Sequence, residues 1–157
     1  VKLSEVHGMA QRGGSVVTFV RYGDKVYEPI VEEGQADVLI AFERLEALRY
    51  AHFLKKDGVM IVNDLRMDPM PVSIGAAQYP ENIIENLKKK HQVISLDAQA
   101  LAKEIGNARV FNTIIIGVAA KRMDFAKEDW LKVIEETVPQ KTIEINTRAF
   151  EAGYALG

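Results

Sequence analysis

Two short apolar runs limit the fold of this chain more than any other feature. Ala36–Phe42 (Ala-Asp-Val-Leu-Ile-Ala-Phe) is nearly continuous in apolar character, and Gly58–Asn63 (Gly-Val-Met-Ile-Val-Asn) repeats that character downstream. A strand that alternates apolar and polar residues leaves one face in water, whereas a run without alternation must be covered on both faces. Between the runs, Glu43–Lys55 reads as a helix, with Leu45, Leu48 and His52 on one face at i, i+3 and i+7. Strand-like and helix-like segments in alternation predict an α/β fold: a three-layer α/β/α sandwich around a mainly parallel sheet.

The flanking segments extend this reading. Val1–Val6 alternates weakly and reads as a strand entering a glycine-rich loop. Ser15–Tyr22, rich in β-branched and aromatic residues, is a second strand. Gly23-Asp24 makes a turn, and Lys25–Tyr27 returns as a short paired strand. Asp64–Tyr79 is a long irregular connection with a short strand near Val72–Ile74. Pro80 suits the first position of a helix that buries Ile83, Ile84 and Leu87. His91–Leu96 is a strand, and Asp97 caps a helix that ends at Gly106. The last third is helical. Phe111–Met123 reads as a buried helix, with a strand at Thr113–Val118 as its rival because β-branched residues cluster there. Lys127–Thr137 puts Trp130, Leu131 and Ile134 on one face, and Ile143–Ala155 is a final amphipathic helix. One domain over residues 1–157 is expected.

Composition removes several function classes. The 157 residues contain no cysteine, so this chain alone builds no disulfide, thiol nucleophile or thiolate-bound iron–sulfur cluster. Net charge is −2 and the longest basic run is Lys88-Lys89-Lys90, which suits the solvated end of a helix rather than a nucleic-acid surface. There is no apolar run of the roughly 20 residues a membrane span needs, and Val-Lys-Leu-Ser-Glu has no signal-peptide pattern. The expectation is a cytoplasmic chain with no nucleic-acid or membrane partner. Three scattered histidines do not make a metal site.

The informative stretch is Ser4-Glu5-Val6-His7-Gly8-Met9-Ala10-Gln11-Arg12-Gly13-Gly14-Ser15. Three glycines in seven positions, beside an arginine and just before a strong strand, require an unusual backbone. Exposed amides and the fixed charge of Arg12 would suit an anionic group. A tight connection whose Arg12 pairs with a local carboxylate explains the same residues. His7 reads as a loop anchor or as a proton carrier.

This segment resembles the signature of the gamma-type subunits of 2-oxoacid:ferredoxin oxidoreductases. The resemblance continues through Val20-Arg21-Tyr22-Gly23, Val26-Tyr27-Glu28-Pro29, Gly34–Glu43 and Leu45–Arg49. The His-Gly-Met-Ala-Gln-Arg-Gly-Gly form is similar to the indolepyruvate branch, as are Tyr79-Pro80-Glu81-Asn82, Glu144-Ile145-Asn146, Ala149-Phe150 and Gly153. Members of that family usually begin with a strand and a Gly-Gly-Gln-Gly loop, and this sequence starts after that point. The resemblance therefore implies that this element lies outside the sequence or comes from another chain. It also implies an enzyme in which thiamine diphosphate supplies the decarboxylation of a 2-oxoacid and iron–sulfur clusters take the electrons. Coenzyme A accepts the acyl group, and ferredoxin receives the electrons through the complex. Thiamine and clusters would sit on a large partner subunit, this chain binding no cofactor alone and being inactive alone. His7, Gly8, Met9, Gln11, Arg12, Gly13, Gly14 and Ser15 would then form a ligand or subunit-interface loop, with coenzyme A the natural ligand at the junction.

Secondary candidates are Glu43, Asn63 and Asp64, which follow strands at the edge where ligands collect in open α/β sheets, and Arg21 on the second strand. Glu43 and Glu46 also suit the first turn of a helix as dipole partners. Two other functions compete with the subunit reading. A stand-alone nucleotide-binding domain would need a Gly-x-Gly-x-x-Gly turn between strand and helix, and here the glycines lead into a strand. A pure interaction module would use the glycine loop only to dock a partner.

Overall fold

The computed structural model describes residues 1–8 and 15–157. Met9, Gln11, Arg12, Gly13 and Gly14 therefore lie outside the described residues. Strands β1 (Lys2–His7) and β2 (Val16–Arg21) pair antiparallel as a separate two-stranded ribbon, from Lys2 opposite Arg21 to His7 opposite Val16. Such ribbons are marginal alone. This one leans on the body through the Phe19 and Phe53 rings, 5.5 Å apart, and the Tyr22 and Phe125 rings, 5.2 Å apart.

The main sheet contains β3 (Ala36–Ala41), β4 (Leu54–Asn63) and β5 (Gln92–Leu96), all parallel and in that spatial order. Its strands are covered on both faces, as their apolar runs require. On one side Leu39, Ala41, Met60 and Val62 pack against Ala47 of α1 (Arg44–Tyr50) and Ile83, Ile84 and Leu87 of α3 (Ile83–Lys88). On the other, Ile61 packs against Ala98 of α4 (Ala98–Ile105) and Ile115, Val118 and Ala119 of α5 (Phe111–Ala120). Helices α6 (Lys127–Thr137) and α7 (Ile143–Leu156) back this second layer, with Phe150 fully buried beside Ala120 and Ile134. The three layers and the helical last third agree with the sequence reading.

Phe111–Ala120 forms a helix in spite of its β-branched residues. Burial on nearly every side overrides local propensity there. Close approach of α5 and α7 rests on two glycines: a Cβ on Gly117 would fall 2.2 Å from Phe150 O, and one on Gly153 1.9 Å from Ile114 O.

Other expectations are corrected. Lys25–Tyr27 is irregular rather than a strand. The first helix stops at Tyr50, a 3-10 turn covers Ala51–Phe53, and β4 already starts at Leu54. It turns Ala47 inward and leaves Leu48 40% exposed, because the smallest side chain permits the closest approach to the sheet. β4 was hidden by the charged Lys55-Lys56-Asp57; a register shift between Ala36 and Val38 lets the strand begin early. Near Val72 there is a single helical turn, α2 (Met70–Ser73), in place of a strand. Pro80 does not open α3: that helix starts at Ile83 after Asn82, whose φ is +53°.

Candidate functional site at the carboxyl edge of the sheet

Parallel strands end together, so the carboxyl ends of β3, β4 and β5 bring Phe42–Glu43, Asn63–Asp64 and Leu96–Asp97 to one edge. Asn63 is completely buried and fastens this edge. Its Nδ2 donates to Phe42 O at 3.1 Å, and its Oδ1 accepts from the Ala98 amide at 3.1 Å. One side chain thus joins the end of β3, the end of β4 and the first residue of α4, whose amide has no partner within the helix. The Asp64 amide donates to Leu96 O at 2.8 Å, closing the third side. Asp97 caps α4 as the sequence suggests, accepting from Ala100 N at 2.9 Å.

Glu43 is 7% exposed, and both of its oxygens are engaged. Oε2 accepts from Glu46 N at 3.0 Å, which makes Glu43 the N-cap of α1. Oε1 accepts from Met67 N at 3.2 Å and from the Tyr79 hydroxyl. Burial, and then the bond to Glu43, raise the Tyr79 phenol well above its usual range, so it stays a donor. Arg66 lies over the Tyr79 ring at 4.4 Å and pairs with Asp68 at 2.6 Å. Arg44 pairs with Asp64, and both side chains keep more than a third of their surface exposed, so that pair contributes less than about 1 kcal/mol.

A cleft of about 1080 Å³ opens beside this cluster, lined by Arg44, Asp64, Arg66, Tyr79, Lys88 and Ser95 among others. Its charges are mixed in sign. Both oxygens of Glu43 are taken up by Glu46 N, Met67 N and the Tyr79 hydroxyl, so this carboxylate ties together the segments that meet at the edge.

The glycine loop joins this edge at its base. Ser15 Oγ donates to the Glu46 carboxylate at 3.1 Å, and Arg49 reaches the same carboxylate at 2.6 Å. At the other stem, His7 Nδ1 lies 3.1 Å from Gly8 O, a local bond made by its Nδ1–H tautomer. Ser15, Glu46, Glu43, Asp64 and Asn63 therefore form one neighbourhood. Arg21 stands apart, at the far end of the ribbon, where it donates to Ile30 O at 3.0 Å and lies 3.9 Å from Glu28. Sequence reasoning missed Met67 and Tyr79 as partners of Glu43, because 24 and 36 residues of chain separate them from it. Only the burial of a carboxylate near a strand end could have prompted the search. Among the described residues, no helix is long and apolar enough to cross a membrane.

The chain is 42% identical over 161 residues to the indolepyruvate oxidoreductase subunit IorB of Thermococcus kodakarensis, covering 98% of this chain and 79% of that protein. Among solved structures it resembles the gamma subunit of a keto/oxoacid ferredoxin oxidoreductase from Geobacter sulfurreducens, with TM-score 0.63 and 21% identity over 99% of this chain and 79% of that one. It also resembles the 2-oxoglutarate:ferredoxin oxidoreductase of Magnetococcus marinus, solved with 2-oxoglutarate, coenzyme A and succinyl-CoA bound. There the TM-score is 0.65 at 17% identity, covering 98% of this chain and 25% of that one. The family described as pyruvate ferredoxin/flavodoxin oxidoreductase matches residues 1–156, and this chain belongs to it.

Proposed function

We propose that this chain is the small, cofactor-poor subunit of an enzyme that converts an aryl 2-oxoacid, indolepyruvate or a close analogue, to its acyl-coenzyme A thioester. Carbon dioxide leaves, and two electrons pass to ferredoxin. The chain is a small subunit of the 2-oxoacid:ferredoxin oxidoreductase class. The finer reading is carried by its likeness, along nearly its whole length, to a subunit named for indolepyruvate. Thiamine diphosphate supplies the decarboxylation chemistry on a larger partner subunit, and iron–sulfur clusters there carry the electrons. The lack of any cysteine here supports placing the clusters on that partner.

In this reading the chain positions and does not react. The loop around Arg12 meets the partner near its active site and offers a fixed positive charge to an anionic group, of which coenzyme A is the natural candidate. Its base at Ser15 is tied to α1 beside the sheet edge, which favours a presented loop. The relative from Magnetococcus marinus was solved with coenzyme A bound, which supports the choice of ligand.

The test is Arg12→Ala in the assembled enzyme. Loss of one charge-assisted hydrogen bond raises the KM for coenzyme A about tenfold or more while the complex stays intact. Unchanged coenzyme A dependence and activity would remove the ligand role. Failure of assembly, with the isolated chain folded, would make the loop a docking element alone.

A further inference from the structure

The cleft beside Tyr79 brings opposite charges together without using up their bonding capacity. Arg44 donates from Nε to Asp64 Oδ1, and its Nη2 makes only a long second bond, 3.5 Å, to the Asp64 carbonyl. A guanidinium has five N–H donors and a carboxylate has two oxygens, so one such bond leaves donors on Arg44 and the second oxygen of Asp64 open. Both side chains keep more than a third of their surface exposed. Arg66 is held differently. Asp68 takes its Nε and Nη2 at 2.6 and 3.3 Å, and the Tyr79 ring backs its plane at 4.4 Å. Its donors are largely engaged while half of the side chain stays exposed, so it offers a flat cationic face rather than an N–H edge. Tyr79-Pro80-Glu81-Asn82 forms one wall, because Asn82 turns the chain at φ +53° before α3 begins. The cleft therefore carries three cations, Arg44, Arg66 and Lys88, and three carboxylates, Asp64, Glu81 and Glu85. A ligand of one sign meets three charges like its own, whereas a ligand with both signs on neighbouring atoms meets a partner for each.

We propose that this cleft binds a free aromatic α-amino acid. Its carboxylate takes the open N–H groups of Arg44, its ammonium takes the second oxygen of Asp64, and its ring lies on the open face of Arg66. The two charged groups of an α-amino acid sit on one carbon, which matches a guanidinium and a carboxylate already in contact. Both new bonds are charge-assisted, and the Arg44–Asp64 pair need not break to make them. The ring completes a stack of Tyr79, guanidinium and ligand, in which the cation is attracted to an aromatic face on each side. At about 1080 Å³ the cleft is roomy enough for such a molecule. An aryl amino acid differs from an aryl 2-oxoacid only in bearing an ammonium and a hydrogen where the other bears the oxo oxygen. Asp64 therefore favours the amino form over the oxo form. The inference concerns this chain's own cleft and does not depend on the subunit reading.

Titration calorimetry on the full chain reads the three contacts separately, with L-phenylalanine, phenethylamine, 3-phenylpropanoate and L-alanine as probes. L-Phenylalanine is expected to bind with a Kd of about 1 mM or tighter. Each single-charge analogue, lacking one charge-assisted bond, is expected to bind at least about tenfold more weakly. L-Alanine, lacking the ring, is expected to bind about threefold more weakly. Asp64→Asn is expected to weaken L-phenylalanine about tenfold while 3-phenylpropanoate binds as well as before or better. Arg66→Gln is expected to bring L-phenylalanine down to the affinity of L-alanine. The melting temperature of each variant is the folding check; should a variant melt early, the four probes on the wild-type chain decide. No binding of L-phenylalanine up to about 20 mM would overturn the proposal. So would equal binding of 3-phenylpropanoate or of phenethylamine, which would reduce the cleft to a site for one charge. Unchanged affinity in Asp64→Asn would put the ligand elsewhere on the chain and overturn it as well. None of these readouts involves the partner or turnover, so failure here leaves the subunit reading standing.

Discussion

Replacing Asn63 by leucine tests how the sheet edge is built. The amide is wholly buried and makes two bonds, to Phe42 O and from Ala98 N, both at 3.1 Å. Leucine is similar in size, so the change creates little void. It leaves a part-buried carbonyl and a buried helix-end amide without those partners, at up to about 1–3 kcal/mol each. Added apolar burial offsets part of that, leaving a net loss of about 3 kcal/mol. For a chain of this length, that lowers the melting temperature by about 6–12 °C. Asn63→Asp sharpens the test. Its carboxylate still accepts from Ala98 N but faces Phe42 O with no donor, so the folded chain favours the protonated form and its folded pKa rises. The folded state then binds the extra proton above the unfolded value of about 4, and stability relative to wild type improves as pH falls toward that value. Urea unfolding followed by circular dichroism at neutral and mildly acid pH reads both effects. A leucine variant within about 0.5 kcal/mol of wild type would refute the clasp, as would an aspartate variant whose deficit ignored pH.

In Gly153→Ala the new methyl would meet Ile114 O at 1.9 Å, so α5 and α7 must part; a loss of about 2–3 kcal/mol and a melting point lower by at least about 4 °C are expected, and an unchanged melt would mean the helices are not so close. Tyr79 stays protonated in the folded chain where free phenols ionise, so Tyr79→Phe should leave the phenolate absorbance rise between about pH 9 and 11 undiminished. Because the folded state keeps a proton the unfolded state loses, the Tyr79 contribution to stability is complete below about pH 10 and declines above it; a smaller absorbance rise in the variant would contradict the buried bond.

What could be read from the sequence was local. Asp97 with Gly106 marked both ends of α4, and Trp130, Leu131 and Ile134 marked the inner face of α6, because caps and helical spacing act within a few residues. The doubly covered strands were visible as runs without alternation. What escaped depended on distant chain. Glu43 showed its dipole role at the start of α1, but its bonds to Met67 and Tyr79 form only once the connection over residues 64–79 folds back to the edge. The inward face of α1 followed Ala47, since close packing on the sheet outweighed the larger Leu48. Lys25–Tyr27 has strand-forming residues yet pairs with no strand among the described residues, and it stays irregular. The glycine loop carried its message as a motif, while Met9–Gly14 lie outside the described residues; its stems at His7, Gly8 and Ser15 locate where it leaves the body.

The central claim is that this polypeptide positions a reaction whose chemistry belongs to a companion chain. The direct measurement is reduction of a low-potential electron acceptor, dependent on indolepyruvate and coenzyme A, by this chain, by the large subunit and by the two together. Turnover only in the mixture, with indolepyruvate preferred over pyruvate, is the predicted result. Equal turnover by the large subunit without this chain, or turnover by this chain unaided, would contradict it.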